Sequence, residues 1–338
     1  MSRQITFFMG VNLADLVKRC DIELSQLKGR AVAIDALNIL YQFLAIIRQR
    51  DGELLKDSQG RITSHLSGLF YRSINLLEQN IKPIYVFDGE PPALKKETIS
   101  KRQEIKREAR REWRAAVEEG RQEDIQKYAQ QTSRITKDML SDTQKLLKSM
   151  GIPYIQAPSE GEAQAAFIAT RGDAYAAASQ DYDSLLFGAP RLVRNLTLTG
   201  RRKLPGKAVY INVNTELMVL EEVLANLGIT RDQLVEIGLL IGTDYNPGIS
   251  GIGPKTALKT VQEGKFSHYE LDDFKELFLS PKVTGEYSIG FRSPSPDHIQ
   301  EILCDEHDFS ETRVENALQR LVKATEEVAQ QTSLDAFF

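Results

Sequence analysis

Two carboxylates stand one residue apart in the stretch SQDYDSLLFG, at Asp181 and Asp183. A small, largely apolar run at 174–178 precedes them and an apolar Leu-Leu-Phe follows, so their surroundings have the composition of a protein interior. Carboxylates are rarely buried there unless a cation or hydrogen-bond donors compensate their charge. On an extended chain, residues at i and i+2 point to one side, which places both carboxylates toward one point and Tyr182 opposite. The pattern predicts a bound cation.

Five more acidic residues stand where a charge needs an explanation: Asp35, Asp88, Glu160, Glu162 and Asp244. Each one also has a structural interpretation. Asp35 and Asp88 follow apolar segments, as turn residues do. Ser159 with Glu162 matches the S-x-x-E capping box of a helix start, and Asp244 could end a helix. Together, however, so many carboxylates would repel one another, and some would be forced to protonate unless cations lie between them.

The seven candidate ligands offer only oxygen atoms. The four histidines are scattered and there is no CxxC, so a structural zinc site is not expected. Oxygen-only sets suit Mg²⁺ or Mn²⁺. More acids than one ion can use indicates two ions about 3.5–4 Å apart, which clamp the attacking and leaving oxygens in an in-line displacement at phosphorus.

Three short apolar segments must position these acids. AVAI, PIYVF and AYAAAS have the composition of buried strands, and they run into Asp35, Asp88 and Asp181. Helical patterns lie between them, at 66–80 and 138–150. The alternation predicts an α/β fold with a mostly parallel central sheet flanked by helices. Ligands of such sheets bind beyond the carboxyl ends of the strands, so the three aspartates should converge.

The remaining segments give a coarser prediction. A long polar stretch after Pro91-Pro92, up to about residue 137, reads as a helical excursion from the sheet. We expect turns at 188–206, helix at 217–241, and loop at 280–296. A last helix is expected near 312–330.

The charge, apolar runs and cysteine count of the chain limit the classes of function to which it can belong. The 338 residues carry 43 Lys and Arg against 47 Asp and Glu, but Lys95–Arg114 holds nine basic and four acidic residues, so a polyanion partner is plausible at that face. No apolar run approaches a membrane span, and the start has no signal-peptide core. Two cysteines, Cys20 and Cys304, indicate no disulfide framework and a reducing compartment.

Four motifs in this order carry a family resemblance: DGEPPALKKETISKR, SEGEAQA, SQDYDSLLFG and GTDYNPGISGIGPKTA. From about Met9 to Phe338 the sequence resembles the flap endonucleases of the structure-specific 5′ nuclease superfamily. The resemblance implies that the seven acids hold two divalent ions, Mg²⁺ with Mn²⁺ as a substitute, and that a metal-activated water attacks the phosphodiester. It also implies incision at the single-strand/double-strand junction of a 5′ flap, leaving a 5′-phosphate and a 3′-hydroxyl, with associated 5′–3′ exonuclease activity.

The same resemblance implies roles in DNA replication, including Okazaki fragment maturation, and in DNA repair. It implies a monomer, in the cytoplasm or nucleoid if archaeal and in the nucleus if eukaryotic. Two other interpretations stay open: another 5′ nuclease of the superfamily, and a non-catalytic DNA-junction adaptor recruited to the sliding clamp. The presence of all seven acids favours the enzyme.

The predicted excursion at about 90–137 corresponds to the family's helical arch. Lys95 and Arg102 lie seven residues apart, about two helical turns, so one face can carry both. By the resemblance they contact the scissile phosphodiester and its developing charge, which makes them candidate catalytic residues. The alternative is an ordinary solvated charge run.

Two residues match positions close to the DNA. Tyr41 matches an aromatic that stacks on a base near the cut, worth about 1–3 kcal/mol; core packing with Phe43 and Leu44 is the equal alternative. Gly10, in Met9-Gly10-Val11, matches a glycine near the family's N-terminus, but here eight residues precede Met9. Either translation begins at Met9 or the extension folds away from the site.

GISGIGPKTA predicts a helix-hairpin-helix (H2TH) turn at Gly251 and Gly253, with Pro254 opening the next helix. Exposed N–H groups there can hold a duplex phosphate without reading bases, helped by Lys255. A plain helix corner is the alternative. The related nucleases also hold a monovalent cation, often K⁺, in this turn.

The chain ends QTSLDAFF, where Leu334, Phe337 and Phe338 fall on one side of a helical turn. With Gln331 first, this resembles the Q-x-x-L-x-x-F-F box that docks on the replication sliding clamp (PCNA). We therefore expect one nuclease domain at 1–325 and a clamp-binding tail at 326–338. Within the domain we expect an N-terminal nuclease region at about 9–115, an internal nuclease region at about 145–235 and a helix-hairpin-helix region at about 236–300.

Overall fold

The computed structural model of the chain describes residues 10–49, 51–121, 124, 128, 134–197, 200–203 and 210–335. The described residues form nine strands: β1 (Cys20–Ile22), β2 (Ala31–Asp35), β3 (Lys82–Phe87), β4 (Tyr154–Gln156), β5 (Ala176–Ala178), β6 (Arg191–Arg194), β7 (Gly200–Lys203), β8 (Tyr210–Val213) and β9 (Thr215–Val219). Seven of them make one sheet in the order β1-β9-β6-β5-β2-β3-β4, and β7 pairs with β8 in a separate hairpin.

The central sheet is mostly parallel, which confirms the predicted fold class. Strands β6, β5, β2, β3 and β4 pair in parallel, while β9 pairs antiparallel with both β6 and β1 at one edge. Parallel neighbours need crossover connections, which the helices supply. The carboxyl ends of these five strands therefore lie at the same edge of the sheet.

Twelve α-helices surround the sheet in the described part of the chain. They are α1 (Ala36–Ile46), α2 (Ser64–Glu78), α3 (Lys96–Glu118), α4 (Lys137–Ser149), α5 (Gly161–Thr170), α6 (Asp183–Leu186), α7 (Leu220–Leu227), α8 (Arg231–Ile241), α9 (Pro254–Gln262), α10 (Asp272–Leu279), α11 (Pro296–Gln300) and α12 (Glu311–Asp335). Short 3₁₀ turns lie at Leu24–Leu27, Ala93–Lys95 and Phe266–Tyr269, and a π turn at Glu301–Asp305. None of these helices combines the length and apolarity that crossing a bilayer requires.

Alternation along the strands divides the core into two layers. In β2, Val32 and Ile34 point into one core layer and Ala33 points into the other. In β3, Tyr85 points into the same layer as Val32, and Ile84 points into the same layer as Ala33. Helices α1, α2, α4, α11 and α12 cover the first face, and α5 to α10 cover the second. Both layers are apolar, as expected of a parallel sheet covered on both sides.

The predicted helices at 66–80 and 138–150 are confirmed within two residues as α2 and α4. The loop predicted at 280–296 is confirmed up to 295, and Pro296 begins α11. The last helix is longer than expected, since α12 continues to Asp335, and Val328 is buried. The first half of the predicted arch is α3; residues 122, 123, 125–127 and 129–133 lie outside the described part of the chain.

Two segment predictions were wrong. The supposed turn region 188–206 contains β6, and the supposed helix 217–241 contains the end of β9 and two separate helices. Gly228 has a left-handed φ of +63° that ends α7, and Thr230 with Gln233 forms a capping box that starts α8. Thr215–Val219 becomes strand because it pairs between β6 and β1, a contact remote in sequence.

Candidate active site and metal centre

The predicted acids lie at the carboxyl edge of the parallel strands. Asp35 is the last residue of β2, Asp88 follows β3 directly, and Asp181 comes three residues after β5. Asp244 reaches the same edge from the loop after α8, and Glu160 and Glu162 reach it from the start of α5. The structure thus brings together the three aspartates that the strand pattern predicted to converge.

The geometry predicted for Asp181 and Asp183 was wrong in detail. The two residues do not lie on an extended chain, because β5 ends at Ala178 and Asp183 is the first residue of α6. Tyr182 is nevertheless fully buried on the other side, where its hydroxyl accepts a hydrogen bond from Arg194 at 2.8 Å. The turn that leads into α6, rather than an extended strand, therefore directs the two carboxylates to the site.

Burial and repulsion by neighbouring acids raise the pKa values of three of these acids. Burial, followed by the charge of Asp88, raises the pKa of Asp35 to about 8. Burial and Glu160 raise the pKa of Asp88 to about 6, with Asp244 adding to the effect. The buried carboxyl of Glu162 has a pKa well above its usual value for the same reason, with contributions from three aspartates: Asp181, Asp183 and Asp35. Each of the seven acids therefore either has a raised pKa or raises the pKa of a neighbour.

Lys95 supplies positive charge to this cluster. Its Nζ lies 2.5 Å from Glu160 Oε2 and 3.3 Å from Asp244 Oδ2, and the three side chains are only 11–14% exposed. Burial alone would lower the pKa of Lys95, but Glu160 and Asp244 outweigh it and raise the pKa above the usual lysine value. The ammonium therefore stays charged and holds two of the candidate ligands.

Backbone groups of the N-terminal segment complete one side of the site. The N–H of Val11 donates to Asp183 Oδ1 at 2.7 Å. Gly10 has a φ of +112°, and a Cβ there would lie 3.0 Å from Asp183 Oδ1 and 3.1 Å from Asp181 Cβ. A side chain at residue 10 would be strained and would press on both carboxylates. The structure thus places Gly10 at the acidic cluster, where the family resemblance expected it to approach DNA.

Hydrogen-bond donors orient the other carboxylates, and sequence reasoning missed them. Asn38 Nδ2 donates to Asp181 Oδ2 at 2.8 Å, and its backbone N–H donates to Asp35 Oδ1 at 3.0 Å. Ser179 Oγ donates to Glu162 Oε1 at 2.6 Å. Asn38 lies three residues after Asp35, the spacing of a helix cap, and this is the one signal that could have found it.

The start of α5 differs from the capping-box interpretation. Glu160, not Ser159, is the N-cap residue, and Ser159 Oγ donates instead to the carbonyl of Glu90. The N–H of Gly161 donates to Asp88 Oδ1 at 2.6 Å, and a Cβ on Gly161 would lie 2.7 Å from that oxygen. The helix start therefore stabilises Asp88 rather than capping itself, and this supports a role for these acids in the site.

The donor set fits a hard divalent cation in chemistry and charge, since the acids are oxygen donors that repel one another in a buried place. In the structure several of their oxygens are engaged by Lys95, Asn38 and Ser179. Among the described residues, no three His, Cys, Asp or Glu side chains form a group that could hold a metal ion as they stand. The acids are therefore the type of ligand that a hard divalent cation prefers, and nitrogen and hydroxyl donors hold them near one another.

Tyr245 and two phenylalanines support the side of the site formed by Asp244. The Tyr245 ring meets Phe278 edge-on at 5.2 Å between centroids, and Phe278 stacks obliquely on Phe187 at 5.0 Å. Lys95 Nζ lies 5.8 Å from the centre of the Tyr245 ring. Burial and the nearby acids raise the pKa of Tyr245, so its hydroxyl stays protonated.

The candidate DNA-contact residues lie around this edge. Tyr41, on α1, is half-buried, whereas Phe43 and Leu44 are fully buried, so Tyr41 is not part of the core that those two residues form. Arg102 lies on α3, about two turns after Lys95, and its side chain is outside the described part of the structure.

The predicted hairpin lies between α8 and α9. Gly251 has a φ of +83°, Gly253 is the N-cap of α9, and Pro254 is its first residue. Lys255 is exposed in the first turn, as its predicted role requires. Of the predicted clamp-binding residues, Gln331 and Leu334 have helical backbone in α12, while Phe337 and Phe338 lie outside the described residues.

Comparison with known proteins agrees with this site. Residues 9–109 match the XPG N-terminal domain and residues 151–244 match the XPG I-region. Flap endonuclease 1 of Pyrococcus furiosus is 56% identical to this chain, covering 98% of it and 99% of the relative. Flap endonuclease 1 of Aeropyrum pernix is 51% identical, covering 98% of this chain and 100% of the relative.

Solved structures agree as well. Flap endonuclease-1 from Methanococcus jannaschii has a TM-score of 0.77 at 43% identity, covering 95% of this chain and 100% of that one. The catalytic core of Rad2 in complex with DNA substrate has a TM-score of 0.67 at 26% identity, covering 90% of this chain and 96% of that one. The carboxylate-lined edge of the sheet, together with the two matched XPG regions, defines this chain as a nuclease. The chain belongs to the flap endonuclease family, as the sequence motifs predicted.

The raised pKa values predict a pH dependence of stability. Asp35 and Asp88 keep protons in the folded state that they lose near pH 4 when unfolded. Folding without metal therefore takes up protons, and the free energy of unfolding falls as pH rises from about 4 to about 8. A divalent cation should offset this loss, so added Mg²⁺ should raise the Tm more above pH 8 than at pH 5. Equal shifts at both pH values would contradict this, and Asp35→Asn should reduce the difference.

Asn38 should matter for activity although it is not acidic. Asn38→Ala removes the side-chain donor to Asp181, and the loss of such a supporting contact typically costs about 10–100-fold in metal affinity or activity. We expect a fall of this size in cleavage rate, together with a higher Mg²⁺ concentration for half-maximal rate. Gln79→Ala, which removes an exposed amide at the end of α2, is the control and should change either value little. A wild-type Mg²⁺ dependence in Asn38→Ala would exclude the positioning role.

Proposed function

We propose that this chain is a structure-specific endonuclease that cuts a 5′ flap at the single-strand/double-strand junction in DNA replication and repair, with associated 5′–3′ exonuclease activity. The observation that carries the proposal is the set of seven mutually repelling acids gathered at one sheet edge, around the ammonium of Lys95. Membership of the flap endonuclease family and likeness to a Rad2 core in complex with DNA substrate support it.

Divalent cations, for which we propose two Mg²⁺ ions with Mn²⁺ as a substitute, would supply an activated water and neutralise charge on the phosphodiester. The acids Asp35, Asp88, Glu160, Glu162, Asp181, Asp183 and Asp244 would hold them. Lys95 would exchange a carboxylate partner for a phosphate oxygen and stabilise the charge that develops during cleavage. Because its ammonium is already buried and charged, this contact needs no proton transfer.

Affinity for DNA would come from phosphate contacts away from the acids. The α9 N-terminus at Gly253, with exposed Lys255, offers backbone N–H groups and a charge to the phosphates of a duplex. We also propose that a K⁺ ion binds in the turn at Gly251. Tyr41 would stack on a base beside the cut, since it is half-buried while its neighbours Phe43 and Leu44 are fully buried. Basic residues of α3 would line the path of the flap.

The C-terminal tail would recruit the chain, acting as a monomer, to the replication sliding clamp. Support comes from the pattern Gln331, Leu334, Phe337 and Phe338 at the end of a long helix that is anchored to the domain. Arg320 fixes that helix by donating to Glu78 Oε1 at 2.7 Å and to Asn75 Oδ1 at 2.8 Å. Among the described residues, the buried side chains of α12 reach Val328, which precedes Gln331.

Cleavage of a 5′-labelled double-flap DNA tests the proposed function. Wild-type protein with Mg²⁺ should release the flap at the junction, and EDTA should stop the reaction. Asp181→Ala should abolish cutting, a loss of at least about 1,000-fold in rate, while retaining junction binding, because phosphate contacts elsewhere supply the affinity. Asp297→Ala, an exposed acid far along the chain, is the control. Absence of Mg²⁺-dependent flap release by the wild type would refute the function.

Removal of residues 331–338 tests the clamp contact separately. The shortened chain should cut free flaps at the wild-type rate, because the acids and Lys95 are untouched, but it should lose all stimulation by the clamp. Phe337→Ala with Phe338→Ala should behave in the same way, whereas Ser333→Ala, inside the motif but outside its pattern, should not. A shortened chain that the clamp still stimulates would disprove the docking proposal.

A further inference from the structure

Arg194 lies beside the turn that carries Asp181 and Asp183. It is the last residue of β6, and β6 pairs in parallel with β5, the strand that the turn follows. The N–H of Ser179 donates to the carbonyl of Val193 at 3.3 Å, which fixes the start of the turn against the end of β6. The Arg194 side chain is only 12% exposed there. A guanidinium so far withdrawn from water requires hydrogen-bond acceptors and a counter-charge.

The guanidinium contacts both residues that flank Asp181. Arg194 Nε donates to the carbonyl of Gln180 at 3.0 Å, and Nη1 donates to the hydroxyl of Tyr182 at 2.8 Å. The guanidinium carbon also lies 4.6 Å from the centre of the Tyr182 ring, which is fully buried. One rigid, planar group therefore binds a backbone atom before Asp181 and a side chain after it. Because Tyr182 stands between Asp181 and Asp183 in the chain, its position affects both carboxylates.

Glu216 supplies the counter-charge of Arg194. It lies directly opposite Arg194 in the antiparallel pair of β6 and β9, and its Oε2 is 3.0 Å from Arg194 Nη1. Glu216 Oε1 also lies 3.6 Å from Nη1 of Arg19. Arg194 thus has a carboxylate partner outside the seven candidate ligands, whereas Lys95 is paired with two of those ligands. The contacts of Arg194 with the turn therefore fix its shape, while a separate carboxylate balances the charge.

Other hydrogen bonds hold the remaining backbone groups of this turn. The N–H of Gln180 donates to Asn38 Oδ1 at 3.2 Å, and the N–H of Asp181 donates to Ser179 Oγ at 3.1 Å. Arg194 adds the contact with the carbonyl of Gln180, so this peptide unit is held from both α1 and β6. A buried polar group that loses its partner costs about 1–3 kcal/mol, and a turn can avoid that cost by changing its shape. Such a change would displace Asp181.

We propose that Arg194 is a positioning residue, which fixes the turn 179–183 so that Asp181 and Asp183 can bind a divalent cation. The inference rests on the proposed nuclease function, because it concerns two of the metal ligands proposed there. Mg²⁺ demands a nearly ideal arrangement of its oxygen ligands, so a small displacement of one carboxylate weakens binding. In this role Arg194 acts through the two aspartates and through no contact of its own with the DNA.

Binding of Mn²⁺ to the full chain without DNA tests this role, with free Mn²⁺ measured by electron paramagnetic resonance. Arg194→Lys keeps the charge opposite Glu216, but a single ammonium cannot take the places of both Nε and Nη1. Its Kd for Mn²⁺ should rise about 10- to 100-fold, the usual effect of losing a supporting contact. Arg191→Lys is the matched control, because it makes the same change at the first residue of β6, where the guanidinium lies 4.6 Å from the centre of the Tyr175 ring. It should bind Mn²⁺ as the wild type does.

Cleavage of a double-flap DNA separates positioning from a direct contact with the substrate. In Arg194→Lys the Mg²⁺ concentration for half-maximal kcat should rise by the same factor as the Kd for Mn²⁺, and kcat should recover at saturating Mg²⁺. The Kd for the DNA, measured without metal, should equal the wild-type value. Tyr182→Phe removes one acceptor of Arg194 and leaves its charge, so it should weaken Mn²⁺ binding by a smaller factor. This second variant decides the matter if Arg194→Lys has a lowered Tm without metal.

Two results overturn the inference. Wild-type affinity for Mn²⁺ in both Arg194→Lys and Tyr182→Phe would show that Arg194 only stabilises the fold, whatever the change in Tm. Weaker DNA binding without metal, together with wild-type Mn²⁺ affinity, would show a substrate contact instead. A wild type that binds Mn²⁺ but cuts no flap DNA refutes the proposed function, while the Mn²⁺ titration still decides the role of Arg194. Flap cleavage by the wild type with unchanged Mn²⁺ binding in the variants rejects the positioning role and leaves the function standing.

Discussion

Repulsion among buried carboxylates is the interaction on which this structure depends, because seven acids meet at one sheet edge and neighbouring charges make ionisation of three of them more costly. The raised pKa values of Asp35, Asp88 and Glu162 express that cost. The fold offsets it with donors supplied from separate parts of the chain: the ammonium of Lys95, the amide of Asn38 and the backbone N–H of Gly161. A cation added to such a site replaces repulsion by attraction, and the acids can then ionise without loss of stability.

Lys95 connects this charge balance to the arch. It ends the 3₁₀ turn Ala93–Lys95, and α3 begins at the next residue, so the position of the arch base fixes the ammonium relative to Glu160 and Asp244. A movement of α3 that withdraws Lys95 would leave two buried carboxylates without their partner, which is costly unless another cation takes its place. Under the proposed function, a movement of α3 would therefore affect cation binding through this one side chain.

Sequence reasoning located the acids because strand ends in a parallel sheet converge whatever the details of packing, and Asp35 and Asp88 follow β2 and β3 as that rule requires. It failed where contacts remote in sequence decide. The strand Thr215–Val219 exists because it pairs with β1 and β6, and Asn38 acquires its role because Asp181, 143 residues away, lies opposite it. The Ser159–Glu162 pattern misled for the same reason, since Glu162 finds its partner in Ser179 and not in its own helix.

The arrangement also explains how a nuclease can select a DNA shape without reading sequence. Under the proposed function, backbone N–H groups at the Gly253 helix start would contact phosphates, which carry no base information, and an aromatic ring such as Tyr41 would accept any base. Discrimination must then come from which strands can bring a phosphodiester to the acids at all. The site lies at the edge where the two core layers meet, with the arch base on one side and α10 on the other, so a strand held in a duplex keeps its bases away from both faces. Under the proposed function, a strand that can separate from its partner beside the cut would be able to use them.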